Sequence, residues 1–299
     1  MASFRLYNIQ LLPLDTSNTS EVGEIGYLKL FEHLQAKTTK AYNEKTLANS
    51  AYKLQNDTFI SPLSIKIEDD SATGLWVKYH KTDSVSDLYT EKTLYNAPLG
   101  VTPVSNNYFF RFIFDYKTHR LGIEEQSGKL PTAKIFNDVV EYFLEPIAQD
   151  NFPKHTLTVN VISEAKALEE ALKEAKGFRK AEAKITFPNG HELSQRLKHM
   201  RDNNIHTVKS EASSSKNALM AEIPDFLLEM IRASIEYGKS KFTYYKKGST
   251  KQQNYSSEEN PVKLKLRKSQ KESEKSFLDR AKAALRASAE PQKEREQKK

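Results

Sequence analysis

Hydrophobic and polar residues alternate in short runs over the first third of the chain. The pattern predicts a strand at residues 4–12 and, after a polar loop, a helix from about Glu24, where apolar residues recur at helical spacing. Three alternating runs within residues 52–80, separated by Pro62 and the EDDSATG turn, predict a β meander. Residues 81–107 show no sustained period, which predicts a long loop or a domain junction.

The clearest pattern is the segment YFFRFIFDYKTHRLGIEE at residues 108–125. Phe110, Phe112 and Phe114 fall at every second position, and a polar turn leads into a second apolar run. Because successive side chains of a strand point to opposite faces, the segment predicts a hairpin with one aromatic face. Pro131 marks the first turn of a following amphipathic helix, which we expect to cover that face.

Strand and helix patterns then take turns up to the C-terminal region. The strand runs are HTLTVNVI, EAKITF and IHTVKSEAS, and the helix runs are EAKALEEALKEAK, HELSQRLKHM and PDFLLEMIRASIEY. Gly177 and Gly238 directly follow two of the helix runs, and we expect both to end a helix in the left-handed conformation. A charged, Ala-rich helix is predicted in the last segment.

This order of elements predicts an α+β fold with a mixed, largely antiparallel sheet and helices packed on it. We expect a β-rich N-terminal subdomain with one helix at residues 1–100 and an α+β domain at residues 101–271 that ends in a basic hairpin. Residues 272–299 are expected to form a charged helical or disordered tail.

The amino-acid composition limits the chemistry and the cellular compartment that we expect for this protein. The 299 residues include no cysteine, which excludes disulfides, thiol nucleophiles and cysteine-bound metals. No window approaches the about 20 apolar residues that a membrane span needs, and residues 1–17 contain no continuous apolar run of signal-peptide length, so we expect no secretion signal. We therefore expect a cytoplasmic protein without a membrane partner.

Charge is distributed unevenly along the chain. The net charge is +7, but residues 239–271 hold ten Lys or Arg against two Glu, while residues 1–238 are slightly acidic. A local cationic excess of this kind is typical of a protein that binds a polyanion.

The cationic stretch SKFTYYKKGSTKQQNYSSEENPVKLKLRKSQK predicts two strands, at residues 241–247 and 262–268, which we expect to pair as a hairpin. Alternation places Phe242 and Tyr244 on one face of the first strand, and Leu264 and Leu266 on one face of the second. The other face would combine cations that bind phosphates with a tyrosine that stacks on an unpaired base. The candidate nucleic-acid-binding residues are Lys239, Lys241, Tyr245, Lys246, Lys247, Lys251, Lys263, Lys265, Arg267 and Lys268. The alternative is that these lysines only protect an edge strand from aggregation.

Catalytic signatures are weak in this sequence. Residues 238–240 (GKS) end a helix instead of starting one, unlike a phosphate-binding loop, and residues 213–216 (SSSK) lack the partner motifs of acyl-transfer enzymes. Glu-x-Lys pairs at residues 164–166 and 182–184 resemble metal-dependent nuclease motifs, although a Lys/Glu-rich region produces such pairs by chance, and Glu164 also suits the first turn of a helix. The seven histidines form no ligand cluster. We predict no metal and no cofactor, and nuclease is the enzyme class that stays open.

The aromatic hairpin, the EASSS turn and the helix–glycine–hairpin order of residues 237–267 resemble an uncharacterised bacterial family that is described as a domain of unknown function. The resemblance covers about residues 100–270 and implies no functional residues. The organisation is also similar to that of proteins from phage-exclusion and toxin–antitoxin loci, some of which bind DNA or cleave RNA.

Three hypotheses follow. The first is a nucleic-acid-binding protein of antiviral defence or a toxin–antitoxin system, acting on DNA or RNA as a homo-oligomer or with a protein encoded nearby. The second is a nuclease toxin, with RNA or DNA as its substrate. The third is an adaptor that docks an acidic protein.

Overall fold

In the described part of the chain, an eight-stranded and a four-stranded antiparallel sheet carry the helices, and two further strands form a separate hairpin, so the predicted α+β class is confirmed. The computed structural model describes residues 1–14, 23–126, 128–187, 195–203, 205–267, 269 and 271–289. The strands are β1 (Ala2–Pro13), β2 (Tyr52–Lys53), β3 (Thr58–Ile67), β4 (Ser71–Lys81), β5 (Ser84–Ser86), β6 (Thr93–Asn96), β7 (Val104–Asp115), β8 (Arg120–Glu125), β9 (His155–Val161), β10 (Ala175–Thr186), β11 (Thr207–Ser213), β12 (Gly238–Lys246), β13 (Gln252–Ser256) and β14 (Lys263–Leu266). The helices are α1 (Glu24–Asn43), α2 (Ala133–Asn151), α3 (Ala165–Glu174), α4 (Gln195–Asp202), α5 (Asp225–Tyr237) and α6 (Glu274–Ala289), and a 3₁₀ turn spans Ser257–Glu259.

Strand β1 lies inside the larger sheet, whose strand order is β14-β1-β8-β7-β4-β3-β2. One edge of β1 pairs with β8, and the other pairs first with β14 and then with β9. Leu6 joins these two partners, because its N–H donates to the carbonyl of Val262 and its carbonyl accepts from the N–H of Ile162. Both edges of β1 are therefore hydrogen-bonded.

Helices α1 and α2 cover one face of the larger sheet. Phe31 of α1 stacks on Phe114 with ring centroids 4.6 Å apart and also contacts Phe112. Phe136 of α2 instead contacts Tyr7 and Trp76. The aromatic hairpin is present as predicted, but α1 supplies the ring contacts to Phe112 and Phe114, because α2 packs along β9 and β1.

Helix α6 covers the opposite face of the same sheet. Phe277 lies with Phe4 and Ile113 in one apolar cluster, and a Cβ added to Gly122 would lie only 2.8 Å from Leu285. Arg286 donates to the buried carboxylate of Asp115 and to that of Asp70, at 2.6 and 2.7 Å. Hydrogen bonds from Arg286 and Lys282 hold the pKa of Asp70 well below its usual value.

The smaller sheet has the order β11-β10-β12-β13. Its inner face is apolar and packs on α5, where Met230 and Ile231 lie in one cluster with Phe178, Ile185 and Phe242. The burial of Phe242 and Tyr244 confirms the predicted alternation in this strand. The outer face of the sheet is polar.

Two helices run into strands without a loop, since α3 ends at Glu174 before β10 and α5 ends at Tyr237 before β12. The expected left-handed caps are wrong: Gly238 has an extended φ of 172°, and Gly177 lies within β10 near a register shift. Gly238 is needed for another reason, because a Cβ there would lie 2.1 Å from the carbonyl oxygen of Lys184 on the neighbouring strand. Only a residue without a side chain lets β12 approach β10 this closely.

The expected pairing of residues 241–247 with residues 262–268 is also wrong. Strand β12 pairs with β13, whereas β14 pairs with β1 in the larger sheet. The apolar side chains of β14, Leu264 and Leu266, pack beside Phe4 and Phe277. The second cationic strand therefore pairs with β1 and not with β12, because this position buries its leucines and supplies hydrogen-bond partners to residues 2–5 of β1.

The β meander is confirmed in β2, β3 and β4, although Pro62 lies inside β3, at a register shift where the ladder is interrupted. The region predicted as a loop at residues 81–107 contains the β5–β6 hairpin. Strands on either side of residue 100 pair with one another, as β4 does with β7. The division into units at residues 100 and 271 stays a prediction. None of the described helices is long and apolar enough to cross a membrane.

We expect Arg286→Ala to destabilise the fold by about 2 kcal/mol, less than the about 3–5 kcal/mol for a fully buried pair because the Arg286 side chain is 36% exposed. The loss arises because the substitution removes the cation that pairs with the fully buried carboxylate of Asp115. Urea unfolding measures the change. Arg280→Ala on the same helix is the control, since its pair with Glu272 is more exposed and should contribute about 1 kcal/mol or less. Equal effects of the two substitutions would contradict this reading.

Candidate functional site

The outer face of the smaller sheet carries three lysines in register on three neighbouring strands. Lys184 of β10 pairs with Lys209 of β11 on one side and with Lys239 of β12 on the other. All three side chains are exposed. Directly opposed residues in antiparallel strands have Cβ atoms about 5 Å apart, so these three residues form a continuous lysine row across the sheet.

The neighbouring row of side chains is balanced by ion pairs. Glu182 of β10 accepts from Lys241 at 2.8 Å and from Lys180 at 3.3 Å, and Lys180 also pairs with Glu211 at 3.0 Å. The hydrogen bonds from Lys241 and Lys180 lower the pKa of Glu182, so its carboxylate stays charged and is balanced by the two ammonium groups.

The lysine row differs from this pattern. Within the part of the chain that the structure describes, Lys184, Lys209 and Lys239 form no ion pair with a carboxylate. Burial raises the pKa of Glu141 on α2, and the positive charges of Lys239 and Lys184 act on it in the opposite direction, so this acid lies within electrostatic reach of the row. Like charges directly opposed across strands repel, so the row is a source of instability unless an anion lies on it.

A cleft of about 910 Å³ opens over this face. The lysine row and Lys241 line it, and Lys134 adds a further cation from the first turn of α2. Thr132 caps that helix by accepting from the N–H of Ile135 at 3.4 Å and lies at the rim of the cleft. The positive end of the helix dipole therefore adds to the lysine charges. Glu258 and Glu259 of the 3₁₀ turn line another side.

The predicted residues of β12 fall into two groups. Lys239 and Lys241 line the cleft, and Tyr245 lies further along the same face, opposite Gln252. Lys246 pairs with Glu174 at 2.8 Å, and Lys247 donates to the carbonyl of Lys173 at 3.0 Å. The last two are thus engaged with the end of α3. Lys251 is exposed in the turn before β13.

The predicted residues of the second cationic strand lie elsewhere. Lys263 pairs with Glu125 at 2.9 Å on the larger sheet, and Arg5 donates to the same carboxylate. Lys265 and Arg267 are also on or next to β14, and the carbonyl of Arg267 accepts from Arg280 at 2.6 Å. Lys268 lies outside the described residues. The ten candidates therefore do not form one surface.

Sequence reasoning missed Lys134, Lys184 and Lys209 as members of the cationic site. The alternation in KIT and TVKSE does place Lys184 and Lys209 outward on their strands. What aligns them is the register between β10 and β11, which no local pattern encodes. A charge count along the chain could not find them either, because acids close by in sequence balance them.

The Glu-x-Lys pair at Glu182 and Lys184 does face the cleft. Glu182, however, is held by two lysines, and the described residues contain no group of three or more His, Asp or Glu that could hold a metal. In the other pair, Lys166 interacts with Glu170 at 3.7 Å. Ser214, from the SSSK string, accepts from Arg179 at 3.1 Å. His191 lies outside the described residues.

Relief of the lysine repulsion is measurable without a ligand. We expect Lys209→Gln to stabilise the protein by about 0.2–1 kcal/mol at low salt, because it removes a like charge opposite Lys184. The gain should shrink as salt screens the repulsion. Lys241→Gln is the matched control on the same face, and it should lower stability slightly because it breaks the pair with Glu182. Thermal unfolding at two salt concentrations tests both; a loss of stability in Lys209→Gln at low salt would show that the row is not repulsive.

Comparison with known proteins places the chain in a family. Residues 5–286 match the family described as Domain of unknown function (DUF4747). No curated protein matches the chain. The match is wider than the expected resemblance over residues 100–270 and extends across both sheets and α6. The protein therefore belongs to the DUF4747 family of unknown function.

Proposed function

We propose that this protein binds nucleic acid on the outer face of its smaller sheet. The observation that carries the proposal is the lysine row, in which Lys184, Lys209 and Lys239 are aligned in register without an ion pair among the described residues. A lysine ammonium is a point charge that suits phosphate oxygens. Binding of phosphates would remove the repulsion that the free protein tolerates.

The other side chains on this face are suited to a phosphate–sugar backbone. Thr243 donates to Asn254 at 2.9 Å on one side of the lysine row, and Thr186 and Thr207 lie opposite one another on the other side. Hydroxyl and amide groups of this kind make most of the remaining contacts to phosphate and sugar in protein–nucleic acid complexes. A regular line of cations also fits the regular spacing of phosphates better than the scattered carboxylates of a folded acidic protein.

Tyr245 favours a ligand with unpaired bases. It lies on the same face of β12 as Lys239, six residues further along, which is about 20 Å at the rise of a β-strand. A nucleic-acid strand whose phosphates lie on the lysine row can thus continue toward Tyr245, where one of its bases stacks on the tyrosine ring. The ligand we propose is single-stranded DNA or RNA, or a duplex with a single-stranded end.

Binding is tested with the triple variant Lys184→Gln, Lys209→Gln, Lys239→Gln and fluorescently labelled oligonucleotides. Each phosphate contact of a single strand contributes about 0.7 to the slope of log affinity against log salt, so we expect the slope to fall by about 2. The matched control is Lys263→Gln, Lys265→Gln, Arg267→Gln, which removes three cations from the other sheet and should keep the slope.

The outcomes separate the hypotheses. If the β14 variant loses binding and the lysine-row variant does not, the interface is the stretch at residues 262–268 that the sequence first indicated. Binding that neither variant changes, or a wild-type protein that binds no DNA or RNA, removes the proposal. Degradation of the oligonucleotides, with or without Mg²⁺, would favour the nuclease hypothesis instead.

We propose antiviral defence as the setting, on the similarity of organisation to proteins of phage-exclusion and toxin–antitoxin loci. Phage should form fewer plaques on cells that express the wild-type protein. The triple variant of Lys184, Lys209 and Lys239 should lose this protection, whereas the triple variant of Lys263, Lys265 and Arg267 should protect as the wild type does. Plating that is equal in all strains, over a broad phage panel, would remove this setting and leave the binding proposal untouched.

A further inference from the structure

A hairpin arm projects from the larger sheet between β4 and β7. It comprises residues 82–103 and includes β5 and β6. Leu88 is 83% exposed, Tyr89 91%, Leu94 66% and Leu99 106%. Of the 17 large apolar residues that are exposed in the described part of the chain, nine lie within residues 85–109. Exposed apolar side chains concentrated in this way mark an interaction surface.

The arm has a defined local structure. Asp87 accepts from the N–H groups of Tyr89 and Thr90 at 3.0 and 2.7 Å and so fixes the turn. The strands are joined by hydrogen bonds such as that from the N–H of Ala97 to the carbonyl of Asp83, at 2.9 Å. Yet the apolar residues of the arm belong to none of the core clusters in the described part of the chain. A two-stranded hairpin by itself is only marginally stable in water, so burial of the apolar residues of the arm against another surface would stabilise it.

A complementary surface lies at the root of the arm. Phe59 and Phe109 share the face of the larger sheet that is opposite to the aromatic core, as the register of β3, β4 and β7 shows. Phe109 is 44% exposed. The ammonium groups of Lys81 and Lys53 lie 4.7 and 5.9 Å from the centre of the Phe59 ring. We call these four residues the root patch.

We propose that the protein forms a twofold dimer in which the arm of each copy packs on the root patch of the other. Apolar residues of the arm would cover Phe59 and Phe109. The arm is acidic, with Asp83, Asp87 and Glu91 against one lysine. The root patch carries Lys81 and Lys53, of which Lys53 also pairs with Asp57 at 3.3 Å, so Lys81 is the cation that would face the acidic arm. The two surfaces therefore match in both polarity and charge.

The position of the two surfaces on the chain favours a second copy as the partner. They adjoin at residues 81–82, so one twofold rotation can bring each arm onto the other root patch and close the assembly at two chains. A stable interface takes about 20–30 residues from each partner, which is about the number that one arm and one root patch supply. This inference is independent of the proposed nucleic-acid binding.

The test is the mass of the full-length protein by light scattering over a range of concentrations. We expect the wild type to have twice the chain mass of 34.2 kDa. The variant Leu88→Glu, Leu94→Glu should weaken the dimer on the order of 100-fold, because it places charges among the apolar anchors. Both residues are exposed in the single chain, so the fold should be kept, which circular dichroism checks. Ile25→Glu, at a 63% exposed position on α1, is the control and should stay dimeric.

Cross-linking tests whether the arm of one copy contacts the root patch of the other. The sequence has no native cysteine, so the cross-linker reacts only with the cysteines that are introduced. A mixture of Leu88→Cys protein and Lys81→Cys protein should give a covalent dimer with a short bis-maleimide, more readily than Leu88→Cys protein alone. A wild-type monomer at all concentrations, or a dimer that the double glutamate variant leaves intact, overturns the proposal. Preferential cross-linking of Leu88→Cys protein to itself also overturns it, since the arms would then meet each other.

Discussion

Strand β1 pairs with β8 on one edge over residues 3–8 and with β14 and β9 on the other edge, and all its residues from Phe4 to Pro13 are buried. These conditions force β8, β9 and β14, which are far apart in the sequence, to meet on one strand. Because β14 completes β1, its lysines lie on the larger sheet and not beside β12. Because β9 is held on the remaining length of β1, α2 packs where its first turn reaches the outer face of the smaller sheet. The cleft is thus a consequence of how β1 is paired.

The smaller sheet combines a conventional inner face with an unusual outer one. Its inner residues pack on α5, and one outer row is neutralised by ion pairs around Glu182. Among the described residues the lysine row has no such pairing, although both rows line the same cleft. Local conflict with stability rules is common at functional sites, since selection retains it only where something is gained. The ion pairs of the neighbouring row show that the same face can balance its lysines with carboxylates.

Local patterns in the sequence predicted much of the fold because they report which face of an element is buried. The alternation around Phe112, Phe242 and Leu264 gave correct strands and correct faces. The same patterns could not show which strand pairs with which, since β12 and β14 both read as amphipathic, cationic strands. Gly238 illustrates a related limit: its position after a helix suggested a cap, while its real constraint is the backbone of a strand more than fifty residues away. The sequence therefore predicted only part of the candidate site: it indicated Lys239 and Lys241, but not Lys184 on β10 and Lys209 on β11.

The pairing of β1 also has a consequence for the order of events during synthesis. Its partners end at residues 125, 161 and 266, so the first strand to leave the ribosome is among the last to have all its neighbours. Until then its apolar side chains have to be shielded by transient contacts or by chaperones. The meander of β2, β3 and β4, whose contacts are close in sequence, can form long before β1 is enclosed. Truncated chains that end before β14 would leave one end of the β1 edge unpaired, and such an edge is a site for aggregation.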